Sequence, residues 1–251
     1  MPGENNMKVS KEKKQQIRKD LINAAIEVIT EKGYQSATMR EISSKAGYGT
    51  ATIYNYFPTK EKILYAYFEE AYKELNEILE KVPDVDEYTL KEKLQLQLES
   101  LLELYLRDRE FVQEAYRLIF DSPLRTFTEF IPIKKLYTDT TRRYYDEAVK
   151  GGEIPEHPLE KFIINLYWDY TGLIMFHWLS DTSEEFTDTT QLIDMSLDIV
   201  VGILQAGIIS RTADVVSFLF KSHLYGSMEN IFKFFQAAKE YSSMGGKDGE
   251  G

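Results

Sequence analysis

The sequence predicts an all-α protein: an N-terminal three-helix unit followed by a larger helical body. Apolar residues recur at three- and four-residue spacing through almost the whole chain, with no useful run of strand-like alternation. Helix caps and breakers punctuate that pattern at short intervals. Basic residues gather at one end: residues 7–60 hold ten Lys/Arg against five Asp/Glu, a net of +5 in a chain of −11, which leaves −16 for the remainder.

The first helix carries Ile17, Leu21, Ala24, Ala25, Val28 and Ile29 on one stripe, and Gly33 after Glu31-Lys32 is its stop. Thr38 and Glu41 form a capping-box pattern, in which the hydroxyl accepts an amide proton and the carboxylate reaches back. A short second helix follows, ending near Gly47. A third runs from about Thr50 to Phe57, where Pro58 stops it. Thr59 opens a long amphipathic helix with Ile63, Leu64, Tyr67, Phe68, Ala71, Tyr72, Leu75, Ile78 and Leu79 on one face, broken at Pro83-Asp84. Further helices are expected over about 88–107, 109–121, 133–150, 158–180, 187–209 and 211–240, the last interrupted at Gly226. Pro123, Pro132, Gly151-Gly152, Pro155, Pro158 and Asp181-Thr182-Ser183 are the expected breaks. Residues 1–8 and 242–251 are expected to be disordered, with domains over 9–60 and 61–241.

Composition narrows the function. A 251-residue chain that is 43% hydrophobic and 28% charged can bury a substantial core. It holds no cysteine, which removes disulfides and thiolate metal sites. The opening MPGENNMKVSKEKKQQ lacks the apolar centre of a signal peptide, and YTGLIMFHWL is too short to span a bilayer. A cytoplasmic protein without a membrane partner is expected. No phosphate-binding loop, nucleophile elbow, dinucleotide fingerprint or Glu-x-x-His pair occurs, so neither enzymatic chemistry nor a cofactor or metal is expected.

The segment Thr38 to Leu64 is the informative part. Two short helices separated by a turn with Gly47 and Gly49, and backed by a third, have the layout of a helix-turn-helix whose second short helix enters the DNA major groove. Thr50 and Thr52 open that helix, where hydroxyls and backbone amides meet phosphates or base edges. Tyr54, Asn55 and Tyr56 carry polar tips suited to the same work. Ile53 and Phe57 should face a small core with Ile42 and Ala46. Arg40 is a candidate for a guanine edge or a phosphate, and Lys60 for the DNA backbone.

These residues resemble the N-terminal domain of the TetR family of transcription regulators. That family follows its first helix with Gly-aromatic, then T-x-R-x-[IL]-A, then A-G-V-S-x-G-T-[LI]-Y-x-[YH]-F-x-[SN]-K-[ED]. This chain gives Gly33-Tyr34, Thr38-Met39-Arg40-Glu41-Ile42-Ser43, and Ala46 through Glu61 in the same spacing. The resemblance implies DNA contacts from Thr38, Arg40, Thr50, Ala51, Thr52, Tyr54, Tyr56 and Lys60. Tyr54, Tyr56 and Lys60 would meet mainly phosphates; Arg40, Thr50 and Ala51 would read bases. Tyr48, Gly49 and Ala51 depart from the pattern, which leaves the operator sequence open.

The resemblance also implies a homodimer and a C-terminal ligand-binding and dimerisation domain. Two long helices between Pro158 and Ile209 suit dimerisation, although the same stretch suits burial within one subunit. Tyr116, Phe120, Phe127, Phe130, Tyr137, Tyr144, Tyr167, Trp168, Tyr170, Phe176 and His177 are candidates to line a cavity for a small apolar effector; equally, aromatics at helical spacing suit a plain core. The expected function is a ligand-responsive regulator, a repressor released from double-stranded operator DNA by a lipophilic molecule. The competing reading is a TetR-fold lipid-binding accessory protein without DNA binding, since FHWLSDTSEEFTDTTQLID loosely resembles a ubiquinone-biosynthesis accessory protein of that fold.

Overall fold

The computed structural model describes residues 10–121 and 123–207, the side chains of 119–129 excepted. The expected helix over 211–240, both expected disordered ends and the side chains of Phe120 and Phe127 therefore lie outside the described residues. Within them the fold is all-α: α1 Lys11–Lys32, α2 Met39–Lys45, α3 Thr50–Tyr56, α4 Lys60–Leu79, α5 Leu90–Leu106, α6 Arg109–Asp121, α7 Pro123–Lys150, α8 Glu160–Ser180 and α9 Thr187–Gln205.

Local signals set most boundaries. Ser10 caps α1 by accepting from the Lys13 amide at 3.2 Å. Gly33 ends it at φ 75°, ψ 155°, a region essentially closed to residues with a Cβ. Thr38 and Glu41 complete the capping box of α2, and Thr89 and Glu92 build a second one on α5.

One expected break is absent. Pro132 lies inside α7, which runs unbroken from Pro123. Pro123 occupies the first helical position, where a missing N–H costs nothing. Pro132 forfeits one backbone hydrogen bond and crowds the preceding turn. Ile133, Tyr137, Tyr144 and Tyr145 downstream are all buried, and that burial outweighs the local cost.

The packing has two centres. Leu21, Ala25, Val28, Ile42, Ile53 and Phe57 fill a small core among α1, α2 and α3. α4 packs on α1 and also on α5 and α7, so one helix serves both the N-terminal three-helix unit, hereafter the reader because of its helix-turn-helix layout, and the body. Arg18 of α1 bonds Glu69 and Glu70 of α4 at 3.1 and 3.5 Å, with its guanidinium over the Phe57 ring.

α6 is gripped at two places. Arg109 Nη2 donates to the carbonyls of Trp178, Leu179 and Asp181 at 2.9, 3.1 and 3.1 Å. Its guanidinium also lies over the rings of Trp178 and Phe186, so it satisfies the open C-terminal carbonyls of α8. Glu114, on the same helix, accepts from the Tyr34 amide at 3.3 Å in the loop between α1 and α2.

Candidate nucleic-acid interface and aromatic core

The reader is built from the turn outward. Gly47 takes φ +78°, and the amides of Gly47 and Tyr48 close the end of α2 on the Ser44 and Ser43 carbonyls at 3.1 and 2.8 Å. The Tyr48 hydroxyl donates to Asp20 at 2.6 Å, and Gln16 holds the other oxygen of that carboxylate at 2.8 Å. The turn is thereby fastened to α1. The bond to Asp20 raises the Tyr48 hydroxyl above its usual range.

On α3, Ile53 and Phe57 point inward and are buried, as expected. Thr50, Ala51, Tyr54 and Asn55 are exposed, with Tyr54 at 53%. Thr52 and Tyr56 are half-buried, and Tyr56 packs partly on the core. Thr38 and Arg40 are exposed at the start of α2. The structure thus places Thr38, Arg40, Thr50, Ala51, Thr52, Tyr54, Asn55 and Tyr56 outside the reader's core. Thr38 also works locally: its amide and hydroxyl donate to Glu41, and Lys32 reaches the same carboxylate at 2.6 Å. The bonds from Lys32 and Thr38 draw Glu41 down to about 2.

Lys60 is also engaged within the protein. Its Nζ donates to the carbonyls of Tyr34 and Ala37, each at 2.5 Å, and sits 4.4 Å from the centroid of the Tyr34 ring. Burial lowers its pKa despite Glu61 and Glu41 nearby. Spacing alone could not show this, because both acceptors are backbone atoms more than twenty residues away.

The body divides the aromatic candidates. Tyr116, Phe130, Tyr137, Tyr167, Trp168 and Tyr170 join one cluster through two rings of α4: Phe68 meets Tyr116 and Phe130 at 5.7 and 5.6 Å, and Tyr72 meets Tyr137 and Trp168 at 5.6 and 5.8 Å. Tyr137 stacks on Tyr167 at 5.8 Å, and Tyr167 on Tyr170 at 5.9 Å. Two hydroxyls inside it are paired, Tyr137 with Thr171 at 2.9 Å and Tyr167 with the Leu94 carbonyl at 2.5 Å.

Three candidates stand apart. Tyr144 lies at a separate cleft of about 500 Å³, lined by Thr89, Lys93, Glu147 and Glu153 among others. Phe176 is on the outer surface. His177 Nδ1 meets the Thr189 hydroxyl at 3.0 Å; that hydroxyl donates to Asp181 at 2.5 Å, so the imidazole supplies the proton to Thr189. His177 therefore belongs to the joint between α8 and α9. Phe68 and Tyr72, which sequence reasoning placed only on a helix face, are missed members of the cluster, and so are Tyr67 and Tyr105, whose rings lie 5.3 and 5.8 Å from Phe68.

The sequence matches the family model described as bacterial regulatory proteins, tetR family, over residues 21–67. A second, described as tetracyclin repressor-like, C-terminal domain, matches residues 93–219. The fatty acid metabolism regulator protein of Bacillus subtilis (strain 168) is 33% identical over 137 residues, 54% of this chain and 70% of that one. The crystal structure of the transcriptional regulator FadR from Bacillus subtilis in complex with stearoyl-CoA aligns with TM-score 0.56 at 26% identity, covering 75% of this chain and 98% of that one. The fatty acid degradation regulator FadR from Bacillus halodurans aligns with TM-score 0.55 at 19% identity, over 75% and 94%.

Proposed function

Because the chain belongs to the TetR family of bacterial regulatory proteins, we propose that it is a dimeric, cytoplasmic repressor that leaves its operator when an acyl-CoA-like effector enters the aromatic core. The observation that carries the DNA half is the division of α3 into a buried Ile53/Phe57 face and an exposed Thr50/Ala51/Tyr54/Asn55 face. On this reading Thr38, Arg40, Thr52 and Tyr56 flank that face, with Arg40, Thr50 and Ala51 at base edges and the tyrosines at phosphates.

The dimer half rests on α8 and α9. Leu166, Leu173 and Phe176 of α8 and Leu192, Met195, Ile199 and Ile203 of α9 are exposed. An apolar stripe over two packed helices suits a two-fold partner and a four-helix bundle. The effector half rests on the stearoyl-CoA held by the Bacillus subtilis relative and on the cluster from Tyr116 to Tyr170, whose mutually packed rings an acyl chain would have to part. On this reading the DNA-binding unit is residues 9–60, and the ligand-binding and dimerisation body begins at residue 61.

Symmetric readers must sit about 34–36 Å apart to enter successive major grooves. α4 carries reader and body together, so an effector that favours another spacing weakens DNA binding by its differential affinity and by no more.

The test is selection of duplexes from genomic fragments, then mobility shifts across a salt series with and without stearoyl-CoA. A sequence-selective shift that weakens steeply with salt and is reversed by the thioester is the expected result. Stearoyl-CoA binding with no selective DNA shift would instead establish a lipid-binding accessory protein.

A further inference from the structure

The cleft of about 500 Å³ beside Tyr144 opens between the start of α5 and the end of α7, and neither the reader nor the aromatic core uses it. We propose that it binds a linear aliphatic diamine or polyamine, held by carboxylates, by the Tyr88 ring and by the Tyr144 hydroxyl. Its volume is that of a small-molecule site, and its lining sets the sign of the charge it takes. Asp86, Glu87, Glu147 and Glu153 line it against a single cation, Lys93. That lysine is buried and already paired with Glu147 at 2.9 Å. An anion would need the open amides at the start of α5, and the chain fills them itself. Glu92 accepts from the Thr89 amide at 2.8 Å, and Glu153 from the Leu90 amide at 2.9 Å. The facing wall is the last turn of α7, the end of a helix that favours positive charge.

Three features select an amine among cations. No group of three acidic or imidazole side chains among the described residues is arranged to hold a metal ion. Tyr144 is only 2% exposed, and its hydroxyl has no hydrogen-bond partner. A buried hydroxyl left unmet is costly; an ammonium N–H on that wall meets it, and a quaternary ammonium has none to offer. Tyr88 is exposed at the same cleft and presents the ring face that organic cations seek. The carboxylates are also spread over three segments, the turn before α5, the last turns of α7 and the loop after it. An extended chain with an ammonium at each end answers more than one of them, which a compact monocation does not.

Calorimetric titration of the full chain tests this with two probes of equal charge and length. Hexamethylenediamine should fill one site per chain. Hexamethonium, the same diamine with methyls in place of every N–H, should bind on the order of tenfold more weakly. Asp86→Asn with Glu87→Gln should weaken both probes, by roughly threefold for each carboxylate lost. Glu184→Gln with Glu185→Gln removes as much charge from exposed positions outside the cleft and should change neither affinity. Tyr144→Phe deletes a hydroxyl that no neighbour uses, so the melting temperature should hold. It should abolish the preference for hexamethylenediamine and leave hexamethonium binding as it was. Three results would each overturn the proposal: no saturable uptake of the diamine by the wild-type chain; equal losses in the two charge-neutralised pairs, which would reduce the effect to attraction by the net charge of −11; or a preference for the N–H probe that survives Tyr144→Phe. None of these readouts depends on DNA or on stearoyl-CoA.

Discussion

Replacing Ile199 by glutamate is expected to split the dimer, and the size of the effect follows from exposure. Ile199 is 63% exposed in one protomer. Burying an isoleucine side chain fully is worth about 1.5–3 kcal/mol, so covering the exposed part is worth roughly 1–2 kcal/mol. Two-fold symmetry counts it twice, about 2–4 kcal/mol per dimer. At ~1.4 kcal/mol per tenfold, dissociation should strengthen by about 30- to 700-fold. That range is a floor, since burying a new carboxylate between two apolar faces adds a desolvation cost. Sedimentation equilibrium over a concentration series measures it. Ile131→Glu is the control: Ile131 is 53% exposed, but on α7. The reasoning fails if Ile199→Glu associates as tightly as wild type, or if Ile131→Glu dissociates equally.

Three further substitutions probe the joint between α8 and α9 and the exposed face of α3. Burial by itself would raise the Asp181 carboxyl, yet donors from Ser183 and Thr189 outweigh it and hold the group well below the usual range. A depressed folded-state pKa contributes stability that is complete above about 4 and lost as pH falls below it. Asp181→Asn should therefore melt below wild type at pH 7, with the gap closing towards pH 3 in thermal melts; a gap constant with pH would contradict the assignment. Tyr54→Phe should weaken binding to all duplexes alike, whereas Thr50→Ala should change which duplexes are selected; a binding-site selection showing the reverse would exchange their roles.

What the sequence disclosed was mostly local. The capping box at Thr38, the stop at Gly33 and the proline after Phe57 act within a few residues, so the reader was legible before any coordinates. Pro132 misled because its penalty is local while the burial of Ile133 and Tyr137 that overrides it comes from other helices. The partners of Lys60 were hidden for a related reason: nothing in its sequence neighbours reveals two backbone carbonyls across the fold. Helical spacing put the aromatics on inner faces. It could not distinguish those that meet Tyr72 and Phe68 from Tyr144 beside its own cleft, or His177 bonded to Thr189.

Arg109 and Glu114 lie five residues apart on α6, about 7.5 Å along its axis. One braces the α8–α9 hairpin, the subunit face of the proposed dimer; the other steadies the loop that Lys60 also holds. A single short strut therefore bears load from both. In the proposed dimer, tilting the hairpin by changing how two protomers meet would shift the strut's anchorage and tug on Tyr34. Substitutions remote from every nucleotide can then retune operator spacing, and screens for altered regulation should recover them along α6 as readily as on the reading face.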